Sequence, residues 1–390
     1  MTLYPLAALA LIALLLVATL SACMAPQDSS KQTGGDGEGS TGTTTTPSQC
    51  SGMVDVTTQG VVPNDEADDY QPLTNLINSS PSGTMLCFPS GVYDIGASWV
   101  AIMNKDIKFV GAEGATIRKL PGSNLKYLLS FYRTPGGGVD NITFDGYSSD
   151  QPTVSDNQLI LVGSGDNMSF TNNDFKDIPG DGIVLTYAYD EPNSPTKKCT
   201  TNTTIDANTF TNHNEGREAV FHVCGDSNRI TNNKIYEWGL SRESGLSPGG
   251  IDIESDWAED YHTNLVVENN YIRNNSSVRM WSGIHMAITY YGSHVEGVVI
   301  RGNEITGNYQ DAISPSAVAP DSVLLETNNI YDITNAHGAF YNDGPNHYKG
   351  NIIRNVNGGT GECILQWYLS PPYVDDGGND FQGCIYSTLQ

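Results

Sequence analysis

The segment Gly250-Ile251-Asp252-Ile253-Glu254-Ser255-Asp256 sets a carboxylate at every second position, with isoleucines between. In an extended strand this alternation turns Ile251 and Ile253 to one face and Asp252, Glu254 and Asp256 to the other. Alternate residues then lie roughly 6.6 Å apart along the backbone. Carboxylates so spaced can hold a cation such as Ca²⁺, or serve as acid and base with a water between them. Further along, Gly283-Ile284-His285-Met286 repeats the same frame. If Gly250 and Gly283 align on neighbouring parallel strands, roughly 4.8 Å apart, His285 falls beside Asp252 and Ser314 extends the row. Arg242 and Glu243, Trp257 and Tyr261, Arg279 and Trp281, and Tyr290, Tyr291 and His294 occupy the flanking segments. Taken singly, each is most simply a solvated surface group or a cover over the core. Together on successive repeats they make Asp252, Glu254, His285 and Arg279 the candidates for proton transfer. Arg242, Trp257, Trp281, Tyr290 and Tyr291 become the candidates for holding a ligand with ring faces and hydroxyls. His222, in Glu218-Ala219-Val220-Phe221-His222, aligns in two registers, one inward and one beside Glu254, and Glu215-Gly216-Arg217 borders the same groove.

These residues need a scaffold that stacks one segment on the next, and the sequence carries its signature. A six-residue frame, apolar-x-x-Asn-x-apolar, recurs as Phe170…Asn173…Phe175, Ile205…Asn208…Phe210, Ile230…Asn233…Ile235 and Val267…Asn270…Ile272. It continues as Ile300…Asn303…Ile305, Leu325…Asn328…Ile330 and Tyr348…Asn351…Ile353. A second short strand follows most of them, as in Gly182–Leu185, Gly250–Ile253, Gly283–Met286 and Gly338–Tyr341. Strands this short cannot bury a face alone, so they stack as a solenoid whose inward side chains form one continuous core. Asn at a repeated corner predicts a ladder of amide hydrogen bonds in a turn that tolerates left-handed backbone. The variable spacing places insertions at particular corners.

With these repeats the chain resembles right-handed parallel β-helix proteins of the pectate-lyase superfamily over roughly residues 55 to 385. The N-terminal stretch adds to the likeness. Gln59-Gly60, the acidic run Asp65 to Asp69, Leu73…Leu76-Ile77 and Phe88-Pro89-Ser90-Gly91-Val92-Tyr93 look like the start of such domains, where a short helix caps the open barrel. Asp68 or Asp69 would cap that helix, and Pro72 suits its first turn. The fold expected is therefore all-β, a right-handed parallel β-helix with a short N-terminal capping helix. The resemblance implies polysaccharide lyases, hydrolases and epimerases, but also tailspikes and adhesins. The Arg-rich signature of pectate lyases and the paired-aspartate pattern of polygalacturonases are not in the expected arrangement; His337-Gly338 stands without its supporting pattern. No catalytic residue carries over.

Residues 1–23 contain no charged side chain. The apolar run Leu6 to Leu20 ends in Leu20-Ser21-Ala22-Cys23, which resembles a lipoprotein signal with Cys23 as the lipidated residue, although no Lys or Arg precedes the run. An ordinary secretory signal is the other reading. Residues 24–49, rich in Gly, Ser and Thr, form a flexible linker, and 50–390 form the β-helix domain. With Cys23 set aside, six cysteines remain; in an exported chain they allow fifteen connectivities, and sequential pairing of Cys50 with Cys87, Cys199 with Cys224 and Cys363 with Cys384 is the simplest. The net charge of −25 excludes an unaided grip on nucleic acid or on an anionic membrane surface.

These observations point to a monomer exported to the cell surface, lipid-anchored or secreted, that binds a polysaccharide or oligosaccharide. A lyase would hold Ca²⁺ on Asp252, Glu254 and Asp256, with Arg279, Arg242 or His285 abstracting the proton. A hydrolase would use one carboxyl as acid and another as base, with His285 tuning the pair and no cofactor. A glycan-binding adhesin on the same scaffold would need neither.

Overall fold

The computed structural model describes residues 50–147, 157–188, 198–211, 217–236, 249–277, 279–288, 293–315, 323–334, 336–366 and 372–385. The segment with Cys23, the linker, and the loop residues Arg242, Glu243, Glu215, Gly216, Tyr290 and Tyr291 lie outside the described residues.

The named strands pair in parallel, coil upon coil, as expected of a parallel β-helix. Four faces are distinguished here. Among the described residues sheet A holds twelve strands, from Val54–Asp55 to Val374–Gly377. Sheets B and C form the twenty-stranded array and are joined by the long strand Glu304–Ser314, which pairs in both. Sheet D is a four-stranded strip made by Thr200–Thr201, Gly225–Asp226, Tyr261–Thr263 and His294–Glu296. The N-terminal helix Tyr70–Ser79 buries Leu73, Leu76 and Ile77 over the barrel end. Its start is capped by Asp68, whose Oδ1 accepts from the Tyr70 N–H; Asp69 instead accepts from the Val62 N–H.

Side chains of one kind stack along the core. Phe144, Phe175 and Phe210 lie with centroids 5.1 and 4.7 Å apart and nearly parallel rings, and Ile235, Ile272, Ile305, Ile330 and Ile353 continue the row. The turn from sheet A to sheet B carries the asparagine ladder. In each step the side-chain Oδ1 accepts both the backbone N–H and the Nδ2 of the preceding coil's asparagine, from Asn173 through Asn208, Asn233, Asn270, Asn303, Asn328 and Asn351. Asn379, which the repeat frame does not reach, closes it.

One expectation about this corner is corrected. The ladder asparagines do not take the left-handed conformation. The residue before each one does: Asn172, Ala207, Asn232, Asn269, Gly302, Thr327, Gly350 and Gly378 all have φ between 54° and 75°. The division of labour has a physical reason, since the amide must point inward to reach both neighbouring coils while its predecessor turns the chain.

The A-to-B corner is short in every coil of the ladder. Longer connections run from sheet B to sheet C, as between Tyr236 and Gly249, and from C to D, as between Thr186 and Thr200. Sheet C is therefore bordered by long connections on both sides. Three disulfides, Cys50–Cys87, Cys199–Cys224 and Cys363–Cys384, join sequential cysteines as expected. Such bonds persist in oxidising compartments, consistent with an extracellular location. Among the described residues no helix is long and apolar enough to cross a membrane.

Replacing Asn270 by Ala removes both acceptor contacts to Asn233 and the donor contacts to Ile230 O and Asn303 Oδ1. It leaves the buried Asn233 N–H without a partner, so we expect a loss of about 2–4 kcal/mol, read from urea unfolding midpoints.

Candidate functional site

Sheet C turns a stripe of ionisable side chains outward while Ile160, Ile183, Val220, Ile251, Ile284, Ile313, Phe340 and Ile364 stack inward in one row. The register pairs Asp252 with His285 and His285 with Ser314, as the glycine alignment predicts. His285 Nδ1 lies 2.9 Å from Asp252 Oδ1. Both are largely closed off from solvent, Asp252 at 1% and His285 at 7% exposure, so the aspartate points outward yet is not a solvated surface group. Trp281 is 40% exposed and stacks on the imidazole at 5.0 Å between ring centroids.

The charges shape one another. Burial alone would lower the His285 pKa, but the Asp252 carboxylate, joined by Glu254 and Asp311, carries it above the ordinary imidazole value. Glu254, half-buried on the same strand as Asp252, is pushed up to about 7, first by desolvation and then by the Asp252 charge. A carboxyl near 7 beside a hydrogen-bonded Asp–His pair is equipped to give or take a proton at neutral pH.

A second row was not singled out from the sequence. Asp181, Glu218, Ser282 and Asp311 occupy one row of sheet C, one residue before the small side chains Gly182, Ala219, Gly283 and Ala312, and all four are fully buried. A polar-small-β-branched frame, Asp181-Gly182-Ile183, Glu218-Ala219-Val220, Ser282-Gly283-Ile284, Asp311-Ala312-Ile313, is the signal that could have found them. Arg217 Nε bridges Asp181 Oδ1 at 3.0 Å and Glu218 Oε2 at 3.2 Å. Desolvation raises Glu218 well above the usual carboxylate range, with Asp181 and Asp252 adding to the effect against the pull of Arg217. Asp311 is pushed up to about 7 by burial, moderated by the Gly338 N–H, Gln310, Arg279 and His285. Among the described residues no donor reaches Glu218 Oε1 or Asp252 Oδ2. A cleft of about 330 Å³ on this face is lined by Lys126, Gln158, Asp181, Arg217, Phe221 and Asp256, among others.

The other predicted residues fall around this stripe. Arg279 precedes the strand Met280–Ala287, and its charge acts on Asp311. Trp257 is 43% exposed, and its indole N–H donates to the Tyr187 hydroxyl at 2.8 Å. Asp256 lies beyond the end of the strand and is exposed. Asp252, Glu254 and Asp256 do not bring their oxygens within 4.8 Å of one another. Among the described residues the one such group is Cys199, Cys224 and Asp260, whose sulfurs are joined in a disulfide. Calcium needs convergent oxygen ligands, so we derive no step through a cation.

His222 takes the inward register, paired with Ile253 and Leu185. There it belongs to a buried polar chain with a single direction. Asn228 Nδ2 lies 2.9 Å from His222 Nε2 and donates to it, so His222 must donate from Nδ1 to His262 Nδ1, 2.9 Å away. His262 then donates from Nε2 to Ser255 Oγ, Ser255 to Ser293 Oγ, and Ser293 to Ile288 O. This assignment follows from the donor inventory of the network. Burial lowers His222 to about 4 and His262 well below the ordinary value, so both imidazoles are neutral.

No curated protein matches the chain by sequence. The family model described as "Right handed beta helix region" matches residues 137–319. Among solved structures, the chain is similar to the tailspike protein of Acinetobacter baumannii phage AM24 (TM-score 0.57, 12% identity, 85% of this chain and 54% of that one). It is similar to the Streptococcus pneumoniae surface protein and adhesin PfbA (0.52, 14%, 85% and 99%). A third is a 1,3-α-1,4-β-D-galactose-4-sulfate-3,6-anhydro-D-galactose-2-sulfate 4-galactohydrolase (0.50, 13%, 77% and 72%). At these identities the likeness shows the fold.

Two measurements follow from the electrostatics. A carboxyl whose pKa rises on folding contributes its full stability below its unfolded pKa of about 4 and loses it as pH climbs through the folded value. For Asp311, with a folded value of about 7, Asp311→Asn should leave stability nearly unchanged at pH 4. At pH 8 it should gain about 2–4 kcal/mol, read by urea unfolding at the two pH values. Asp252→Asn should bring the His285 imidazole, followed by NMR, to titrate below the ordinary range, because burial then acts with less opposition.

Proposed function

We propose that this protein is an extracellular polysaccharide-degrading enzyme whose reaction runs on the outer face of sheet C, by general acid–base catalysis within Asp252, Glu254 and His285. The observation that carries this is the buried Asp252–His285 pair with a carboxyl near neutral pKa beside it. A solenoid that serves only as a spacer or an adhesive rod gains nothing from burying these groups, since each costs stability unless paired.

The chemistry best matched to these groups is hydrolysis of a glycosidic bond. Glu254 in its protonated form would give its proton to the leaving glycosidic oxygen as the carbon–oxygen bond breaks. A water would add to the anomeric carbon and pass its proton to Asp252, which the neighbouring His285 holds in place and compensates in charge. Trp281 beside the imidazole offers a ring face on which a sugar can stack. A lyase reading rests on one further observation. Lys126 and Arg217 line the neighbouring cleft and could take the carboxylate of a uronate, although Arg217 already shares its charge with Asp181 and Glu218. The similar folds include both a galactohydrolase and an adhesin, so the scaffold accommodates either use.

The test is incubation with neutral and acidic polysaccharides, with and without a chelator. Reducing ends without ultraviolet absorbance mark hydrolysis, and unsaturated, absorbing products mark a lyase. Glu254→Gln and Asp252→Asn should each lower kcat about 10²- to 10⁴-fold while the proteins melt normally. Full activity in the double variant, or no product from any polysaccharide, would sink the reading.

A further inference from the structure

The outer face of sheet B carries a second feature that the chemistry on sheet C does not use. Its strands Lys234–Tyr236, Tyr271–Asn274, Glu304–Ser314 and Asn329–Thr334 place Tyr236, Arg273, Thr306 and Tyr331 in one outward row, with Lys234, Tyr271, Glu304 and Asn329 in the other. Across these rows the tyrosines meet. The rings of Tyr236 and Tyr271 lie 5.7 Å apart, the Tyr331 hydroxyl donates to Glu304, and the Tyr271 hydroxyl interacts with that of Tyr331. Tyr236 to Tyr331 spans three coil spacings, about 14 Å along the solenoid.

A cleft of about 490 Å³ opens beside Tyr271 and Tyr331. Its floor is fixed. Buried Asn274 donates to Asn308 O at 2.8 Å, and Asn308 donates back to Ser276 O at 3.2 Å. The register shifts at Thr306/Gly307, and Gly307 has φ +118° with the place of a Cβ only 2.1 Å from Asn274 O, so only glycine can stand there. The lining carries one cation and one anion, Arg273 and Asp332, together with Asn275 and Thr334. Such a lining selects no strongly charged ligand. Aromatic faces in a line, amides and hydroxyls beside them and little net charge match a carbohydrate chain, whose rings stack on their apolar faces and whose hydroxyls bond outward.

We propose that this strip is a second, non-catalytic binding site for an extended stretch of polysaccharide, separate from the sheet C site. The inference rests on the glycan reading above and extends it: a polymer held on sheet B stays near the sheet C site between turnovers, which raises its effective concentration there. Short oligosaccharides cannot span both faces and gain nothing from it.

The experiment uses the full exported chain and the polysaccharide that it turns over, chosen from dextran, arabinoxylan, alginate and polygalacturonate. Binding is read by affinity electrophoresis and turnover by product release. Tyr271→Ala with Tyr331→Ala should weaken polymer retardation and raise KM for the polymer about ten-fold. The kcat, and the KM for a short oligosaccharide of the same repeat, should stay unchanged. Tyr271→Phe with Tyr331→Phe keeps the ring faces and should keep most of the binding, and thermal melts confirm that both variants fold. Unchanged retardation and polymer KM in the alanine variant, with turnover intact, overturns the second site and leaves the sheet C reading standing. Equal loss on polymer and oligosaccharide also overturns it, because the tyrosines would then be acting on the reaction itself. Neither retardation nor turnover by the unaltered chain removes both readings together.

Discussion

Register is the constraint on which the rest of this molecule depends, and the asparagine ladder at the A-to-B corner maintains it. Each ladder amide binds the backbone and the side chain of the neighbouring coil, so it reads the position of that coil in two ways at once. A slip of one residue would strand these buried amides and turn each inward isoleucine outward. The same slip would separate Asp252 from His285, which the register pairs directly. The Asp252–His285 pair is thus held in register with help from a hydrogen-bond system on another corner of the coil.

The corners also explain why one face differs from the others. The A-to-B turn is held short by the ladder and by the left-handed residue before each asparagine. Added chain length therefore enters at the two edges of sheet C. On that face Asp181, Glu218, Asp252, His285 and Asp311 are withdrawn from water. Burial raises the cost of each charge, so the groups answer to one another, and Glu254 and Asp311 come to titrate near neutrality. The stability given up on this stripe is offset by a core of stacked aliphatic and aromatic side chains that runs the length of the coil.

Much of this was legible in the sequence because the signal repeats. The Asn frame marks the coils from Asn173 to Asn351, and the shared Gly-Ile frame sets Asp252 against His285. The sequential cysteine pairs follow the same logic of neighbouring coils. What stayed hidden is marked only by a three-residue frame whose polar member varies from Asp to Glu to Ser. Asp181, Glu218 and Asp311 each stand alone before a small residue, where a polar side chain reads as the start of a turn. Their surroundings are set by neighbouring coils, as when Arg217 reaches both Asp181 and Glu218, and such contacts between coils are not written in any local pattern. His222 was ambiguous for a similar reason. An imidazole fits an outward row by polarity, and only the partners Asn228 and His262 make the inward row affordable.

The three disulfides have a consequence for how such a molecule comes apart. Each turn of a stacked coil touches only its neighbours and the last turn has one on a single side, so loss of structure should begin at the ends and run inward like a ladder losing rungs. Two of the bonds sit near those ends, Cys50–Cys87 beside the capping helix and Cys363–Cys384 at the final coils, while Cys199–Cys224 clasps the middle. With both ends clasped, fraying is denied its usual starting points, and opening has to begin within the stack. The buried charges of sheet C, each of which costs stability, would then mark the place where the stack parts first.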